Sequence, residues 1–330
     1  MDDALPLIFL FLMGLAVLIY VVLDGYDLGV GILLSGADDA QKDRMVASIG
    51  PFWDANETWL VLGVGILLIA FPKAHGVILT SLYLPVALML VGLILRGVAF
   101  DFRVKAHAKY KAAWNRAFLG GSLLATWAQG YMIGDYILGF EPGWIAFGFA
   151  AFIGCCLIAG YALLGAAWLI LKTEEGLHAK AVRWAHRALW MTGAGVAAVS
   201  IATPLVSQRI FDKWFSLPEL FWTAPVPIAA AALWLWTERT LARMQRGDAA
   251  AHWKPFAGAA GLFVLSFLGL AYSMFPYLVV DRLDIWQAAS SPEALAVILI
   301  GVGITLPAIL VYTVYSYKVF WGRAEDLHYD

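Results

Sequence analysis

The chain has 330 residues, of which 62% are hydrophobic and 14% are charged, with a net charge of −2 and a mean hydropathy of +0.77. Soluble domains carry about 25% charged residues, so this composition excludes a soluble globular protein. The small negative net charge offers no basic surface for nucleic acid. The two cysteines, Cys155 and Cys156, are adjacent within an apolar segment, which argues against a structural disulfide or a thiolate metal site.

Apolar segments long enough to cross a membrane recur along the whole chain. A helix needs about 20 residues to cross a hydrocarbon core of ~30 Å. Nine segments meet this length, at approximately 5–34, 52–71, 77–100, 114–137, 144–171, 184–206, 220–241, 256–279 and 293–317. We therefore predict an all-α polytopic membrane protein with nine transmembrane helices in a single integral domain, 1–330. A weak internal repeat of four-helix units, 1–140 and 141–280, with 293–317 as an extra helix, is a further expectation.

The distribution of Lys and Arg predicts the orientation of these helices. If the N-terminus lies outside, all but four of the 22 basic residues fall on the cytoplasmic side. The four exceptions are Lys73, Arg209, Lys213 and Arg282. Because positive charge concentrates on the cytoplasmic side of membrane proteins, we predict an outside N-terminus and a cytoplasmic C-terminus.

The first apolar segment contains two carboxylates, Asp24 and Asp27, in its cytoplasmic portion. A carboxylate at the centre of a bilayer costs roughly 2.5–3.5 kcal/mol, so such residues usually face a polar interior and serve a function. Their i,i+3 spacing places both on one helix face. Gly25, Gly29 and Gly31 thin the helix at the same level and permit close helix approach or a local break.

A second acidic pair, Asp54 and Glu57, begins the next apolar segment and also has i,i+3 spacing. In the predicted orientation this pair lies near the cytoplasmic surface, as does the pair in the first segment. Asp54 has an alternative interpretation as a helix N-cap, which is compatible with a functional role.

Three charged residues, Arg96, Asp101 and Arg103, lie at the cytoplasmic end of the third apolar segment. They are candidates for pairing with the acidic residues of the first two segments. Snorkelling of the two arginines to the membrane surface is an alternative that needs no such pairing.

The six histidines lie in loops or within about a turn of a predicted span end, with His186 nearest to a span interior. A haem inside a membrane usually takes His or Met ligands at mid-span. Met13 and Met89 lie deeper, but a lone methionine usually serves packing. We therefore expect that this chain ligates no haem.

The residues alone indicate a helical membrane protein with a carboxylate cluster that handles protons or cations. A proton-coupled secondary transporter is one candidate, since it would share the weak repeat, the glycine-rich helix and the acids within the membrane. A purely structural scaffold is a further possibility, and it predicts that the carboxylates are dispensable.

Three motifs carry a resemblance to a known family: residues 24–31 (DGYDLGVG), 50–60 (GPFWDANETWL) and 96–103 (RGVAFDFR). Together they closely resemble subunit II of the cytochrome bd-type quinol oxidases, and residues 274–276 (MFP) and 286–291 (WQAASS) are also similar to that family. The resemblance runs through the whole chain in order. The lack of long outer loops resembles the compact, cyanide-insensitive branch.

The resemblance implies an enzyme subunit without catalytic residues of its own. Its partner, subunit I, would carry the haem b and haem d groups, oxidise quinol at the outer side and reduce O2 to water with cytoplasmic protons. The positions that match the family's proton pathway are Asp24 and Asp54, with Asp27, Glu57 and Asp101 as further candidates. Glu57 stands where the family often has Gln or another neutral residue, which leaves its part in the path open.

The resemblance also implies a multi-pass protein of the bacterial cytoplasmic (inner) membrane. Small accessory subunits are further candidate partners, and a structural quinone or lipid is a further candidate ligand of this subunit.

Overall fold

The computed structural model describes residues 4–248 and 250–324, which form a bundle of α-helices with one short β-hairpin. The helices are α1 (Ala4–Leu33), α2 (Asp39–Ile49), α3 (Trp53–Ala70), α4 (Pro72–Ser81), α5 (Tyr83–Lys105), α6 (Ala108–Ile137), α7 (Trp144–Lys172), α8 (Glu175–Val206), α9 (Gln208–Phe215), α10 (Glu219–Thr223), α11 (Pro225–Gln245), α12 (Trp253–Met274), α13 (Ile285–Ala288) and α14 (Pro292–Val319). The strands are β1 (Tyr277–Val279) and β2 (Leu283–Asp284), and a 3-10 turn, Leu34–Gly36, follows α1.

Eight helical segments within the described ranges are long and apolar enough to cross a membrane. They contain α1, α3, α5, α7, α8, α10 with α11, α12 and α14. The predicted span 114–137 lies within α6. This helix has 30 residues, the same number as α1, but it is more polar than α1. The chain is thus a predominantly helical, multi-pass membrane protein, as its sequence predicts.

Helix α1 is the centre of the bundle and packs against α3, α6 and α7. Its crossing with α7 is a backbone-to-backbone contact between Gly29 and Gly165. A Cβ atom on Gly29 would overlap the carbonyl of Tyr161, and one on Gly165 would overlap the backbone of Gly29. Glycine is therefore required at this crossing, where it lets two membrane helices approach closely.

Two of the predicted spans are interrupted by proline. The third predicted span, 77–100, is divided into α4 and α5 at Leu82. Pro85 explains this break, because its ring clashes with the carbonyl four residues earlier, at Ser81, and it donates no amide hydrogen. In the same way, Pro225 begins α11 and separates it from the short α10.

The predicted span 256–279 is wrong at its end, because α12 ends at Met274 and residues 277–284 form the hairpin. The strands pair antiparallel, with Tyr277 opposite Asp284 and Val279 opposite Leu283. Pro276 cannot continue the helix, and the residue before a proline avoids helical geometry.

The side-chain contacts define two ends of the bundle. At one end, which we call the basic end, Lys180 binds Gln41 of α2 and Lys172 binds the segment after α14. At the opposite end, Lys73 binds the carbonyl of Gln287. The name refers to Lys172 and Lys180, which lie at the end that the sequence analysis predicts to be cytoplasmic.

Candidate functional site

A buried arginine lies at the centre of the charged residues inside the bundle. Arg96 Nη1 is 2.7 Å from Asp24 Oδ1, and Arg96 Nη2 contacts the Glu57 carboxylate. Arg96 and Asp24 are 1% and 0% exposed, whereas the Glu57 side chain is 29% exposed. Arg96 lies nine residues before the end of α5, about 13 Å along the helix axis. The arginine therefore joins α1, α3 and α5 in the interior near the basic end.

Snorkelling does not explain Arg96, because its guanidinium is buried and its charge is met by carboxylates rather than by water. Removing a charge from water costs several kcal/mol, and only close opposite charges with good geometry offset that cost. The pairing of Arg96 with the acids of α1 and α3 is thus one of the two arrangements that the sequence left open.

Asp27 is fully buried and belongs to a neighbouring hydrogen-bonded ring rather than to the ion pairs. Asn56 Nδ2 donates to Asp27 Oδ2 at 2.8 Å and to the Tyr26 hydroxyl at 2.9 Å. The Tyr317 hydroxyl donates to Asn56 Oδ1 at 3.1 Å. Its single hydrogen is then used, so the 2.6 Å bond between the two tyrosines has Tyr26 as its donor. Asn56 thus donates to Asp27 while its other contacts, with Tyr26 and Tyr317, hold its amide group in place.

A second buried chain of polar groups lies beside Asp24, toward the opposite end. Tyr161 donates its hydroxyl hydrogen to Gln129 Oε1 at 2.7 Å, and Gln129 Nε2 donates to the Tyr20 hydroxyl at 2.8 Å. Tyr20 is four residues before Asp24 and therefore shares its face of α1. All three residues of this chain are buried, and they link α1, α6 and α7.

Asp54 lies apart from these contacts, at the basic end. It is exposed and is the second residue of α3. The N-cap of α3 is Phe52, so the N-cap interpretation of Asp54 is wrong. Asp54 and Glu57 share one face of α3, with Asp54 one turn nearer the helix terminus.

Arg103 is also buried, so snorkelling does not explain it either. Its Nη2 is 2.6 Å from Asp43 on α2, and its Nε donates to Asn115 on α6. Lys111 contacts the other oxygen of Asp43 at 2.8 Å. Partial burial raises the pKa of Asp43, but the hydrogen bonds and charges of Lys111 and Arg103 outweigh it and hold that pKa below its usual value. Asp101 is exposed and takes no part in these ion pairs.

The histidines differ in one respect from the prediction. Helix α8 begins at Glu175 rather than at 184, so His186 lies eleven residues inside it, about 16 Å from its start. His186 Nε2 is 3.6 Å from the Glu238 carboxylate on α11. His178 and His252 bring their rings to 4.7 Å at the basic end. Within the described part of the chain, no three His, Cys, Asp or Glu residues form a group that could hold a metal ion.

The structure brings together Asp24, Asp27, Glu57 and Arg96, and it separates Asp54, Asp101 and Arg103 from them. The sequence analysis missed the uncharged members of the site, which are Asn56, Tyr26, Tyr317, Tyr20, Gln129 and Tyr161. Tyr20 could have been found from its four-residue spacing to Asp24. Tyr317 and Gln129 are distant in sequence, and only the tertiary packing reveals them.

Comparison with known proteins gives concordant results along the chain. Cytochrome bd-I ubiquinol oxidase subunit 2 of Escherichia coli K12 is 26% identical in an alignment 384 positions long, which covers 98% of this chain and 97% of that protein. Cytochrome bd ubiquinol oxidase subunit 2 of Bacillus subtilis 168 is 38% identical over 113 residues, which are 33% of each chain.

A solved structure, that of the bd oxidase from Geobacillus thermodenitrificans, has the same fold. Its TM-score is 0.73 at 17% sequence identity, and the match covers 97% of this chain and 100% of that one. The family model for cytochrome bd terminal oxidase subunit II matches residues 5–320. This match excludes the transporter alternative, because a proton-coupled secondary transporter would belong to a different family. The chain belongs to the cytochrome bd terminal oxidase subunit II family.

Proposed function

We propose that this chain pairs with a haem-bearing subunit I in a quinol:O2 oxidoreductase and supplies a proton path from the cytoplasm. The full-length relatives are named as subunits of ubiquinol oxidases, which supports the assignment of the reaction. Reduction of O2 to water consumes protons, so a buried reaction site needs groups that carry protons to it.

The observation that carries the proton path is a graded burial of carboxylates on one side of the bundle. Asp54 is exposed, the Glu57 side chain is 29% exposed, and Asp24 is fully buried. Glu57 and Asp24 contact the same guanidinium, that of Arg96. The order Asp54, Glu57, Asp24 is therefore a series of proton-binding groups that leads from the solvent into the interior.

The charge balance of the cluster supports a proton-carrying function. Asp24 and Glu57 contact the guanidinium of Arg96, and a third carboxylate, Asp27, interacts with it electrostatically from the neighbouring hydrogen-bonded ring. If all three were ionised, two negative charges would lack a counter-charge in a medium of low dielectric constant, which is costly. We infer that the cluster holds a proton and that Asp27, which has a neutral amide as its hydrogen-bond donor, is the position that holds it.

Amide substitutions of Asp24 and Asp54 test the path, because Asn keeps the shape of Asp but carries no proton. Asp24→Asn and Asp54→Asn should each slow O2 consumption by the purified complex at least tenfold, which is about 1.4 kcal/mol of barrier. Haem content and subunit stoichiometry should remain normal. Asp39→Asn is the matched control, since Asp39 is also an exposed acid in the first turn of a helix at the basic end.

Two results would contradict the path. If both variants consume O2 at the wild-type rate, this subunit carries no essential protons through these residues. If Asp54→Asn loses the haems or the partner, then Asp54 has a structural role.

We further propose that α6 is the ninth span, that the N-terminus is outside and that the membrane is the bacterial inner membrane. The basic end of the bundle is then cytoplasmic. The haem b and haem d groups belong to subunit I in this proposal, so this chain purified alone should show no haem absorption bands. The internal repeat, a structural quinone or lipid, and accessory subunits remain expectations from the sequence.

A further inference from the structure

Lys172, the last residue of α7, is a buried lysine whose partners are carbonyl oxygens. It is 5% exposed, and its ammonium group donates to the carbonyls of Phe320, Trp321 and Gly322 at 2.8, 3.2 and 2.9 Å. An ammonium group has three hydrogens, so these bonds use all of them. No carboxylate among the described residues lies within ion-pair distance of Lys172.

Aromatic rings complete the surroundings of this ammonium group. Its nitrogen is 5.1 Å from the ring centroids of Phe52 and Trp168 and 5.7 Å from that of Trp321. The negative faces of aromatic rings attract a cation without an acid. The three carbonyls directly follow α14, where the negative end of the helix dipole adds to the attraction. Lys172 is thus fixed to the chain segment that follows α14.

The same segment is attached to α7 a second time, since the Ala324 amide donates to the Lys172 carbonyl at 2.9 Å. Four of the apolar side chains of α14 that pack against the bundle, Ile298, Leu299, Leu306 and Ile309, are only partly buried. Of its 28 residues only Leu295, Val302 and Ser316 are buried. The attachment at Lys172 is therefore a main constraint on the position of the last turn of α14.

Tyr317 lies in that last turn, three residues before Phe320. Its ring stacks on Phe52 with 4.6 Å between centroids, and its hydroxyl binds Asn56 and Tyr26. Any shift of the end of α14 would move this hydroxyl and open the ring of hydrogen bonds that orients Asn56 toward Asp27.

We propose that Lys172 is a positioning residue for Asp27: by holding residues 320–322 it keeps Tyr317 on Asn56 and Tyr26 and so fixes the hydrogen bond to Asp27. The charged groups around Asp27 are Asp24 on α1, Glu57 on α3 and Arg96 on α5. None of these three belongs to the segment that Lys172 holds, so its effect is transmitted through Tyr317. Only the expected effect of Lys172 on the pH profile of O2 consumption rests on the proposed proton path.

The test compares Lys172→Met, Lys172→Arg and Arg323→Met in the assembled oxidase complex. Methionine keeps the length of the side chain without its donors, and arginine restores the charge and the donors. Arg323 is the matched control, because it is a cation on the same segment that pairs with Glu174 at the surface. We expect Lys172→Met to increase hydrogen exchange of the amides of residues 318–324 at least tenfold. In Lys172→Arg and Arg323→Met, hydrogen exchange of these amides should stay near the wild-type rate.

The pH profile of O2 consumption is the second measurement. Lys172→Met should shift it by about half a pH unit or more, because the donor to Asp27 becomes misplaced. Tyr317→Phe should shift the profile in the same direction without faster exchange, since it removes the hydroxyl and leaves the attachment intact. This variant keeps the test decisive if Lys172→Met fails to assemble.

Two outcomes would overturn the inference. Unchanged exchange in Lys172→Met would show that Lys172 does not hold the segment. Faster exchange with an unchanged pH profile in both Lys172→Met and Tyr317→Phe would show that the attachment is structural only. Failure of the proton path is a separate result, because it would appear as wild-type rates in Asp24→Asn and Asp54→Asn.

Discussion

Replacement of Arg96 by Gln should be the most damaging single substitution in the buried charge cluster. Among the described residues, Arg96 is the one cation that contacts both Asp24 and Glu57. Gln is shorter and neutral, so it leaves a fully buried Asp24 without a counter-charge. Removal of one partner of a buried ion pair costs about 3–5 kcal/mol, because the remaining charge is uncompensated.

The converse change, Asp24→Asn, should cost less, because Arg96 keeps Glu57 as a partner and Asn can still accept a hydrogen bond. In the double variant, Arg96→Gln with Asp24→Asn, no uncompensated Asp24 charge remains. The double variant should therefore be more stable than the sum of the two single losses predicts. A coupling energy of about 1–3 kcal/mol is expected for two groups in direct contact.

The free energy of unfolding of the purified complex in mixed micelles, measured by titration with SDS, provides this comparison. All four proteins of the cycle are measured under the same lipid and detergent conditions, so that the double difference isolates the pair. Arg116→Gln is the control, because Arg116 is exposed on α6 and its loss should change stability by less than about 0.5 kcal/mol.

Additivity would refute the reasoning. If the two single losses sum to the double loss within about 0.5 kcal/mol, Arg96 and Asp24 do not interact in the folded complex. An Arg96→Gln loss no greater than that of Arg116→Gln would show that the buried acids are already uncharged.

Two further predictions concern packing and pH. Gly29→Ala should lower the free energy of unfolding by about 1–3 kcal/mol or more, because a Cβ there meets the α7 backbone. Gly65→Ala, which meets open space, should be neutral or gain up to about 1 kcal/mol; equal effects of the two would contradict the close crossing. The folded-state pKa of Asp43 is lowered beside Arg103 and Lys111, so its ion pairs stabilise the protein above the unfolded pKa of about 3.9. This stabilisation is lost as the pH falls through the folded pKa. The melting temperature of Asp43→Asn should thus be below that of the wild type at pH 7, and the difference should narrow below about pH 4; a difference independent of pH would contradict it.

The charged part of the site could be predicted from the sequence because charge is rare in this chain. Asp24 and Glu57 are conspicuous within apolar segments, and Arg96 is one of the candidate partners at the same end of the helices. Their contact partners could not be predicted, since snorkelling and ion pairing use the same residue type at the same helix end. Only the burial of Arg96 and Arg103 distinguishes these alternatives.

The uncharged part of the site and two element boundaries were harder to predict. Tyr near a span end is typical of a membrane interface, so Tyr317 gave no distinct signal. Residues 277–280 are apolar and continue the composition of α12, although Pro276 marked the end of that helix. Pro85 marked the break at Leu82 in the same way, and hydropathy alone could not show it.

The chain of hydrogen bonds from Tyr161 through Gln129 to Tyr20 bears on how the membrane keeps its voltage. A carboxamide is neither an appreciable acid nor an appreciable base at neutral pH, so it donates and accepts hydrogen bonds without passing a proton on. Gln129 therefore interrupts proton conduction at a point where the hydrogen bonding is continuous. In the proposed path, protons that reach Asp24 from the basic end meet Gln129 and cannot pass along these hydrogen bonds toward the opposite end. The interior can then contain many polar groups without a leak of protons that would dissipate the proton gradient across the membrane.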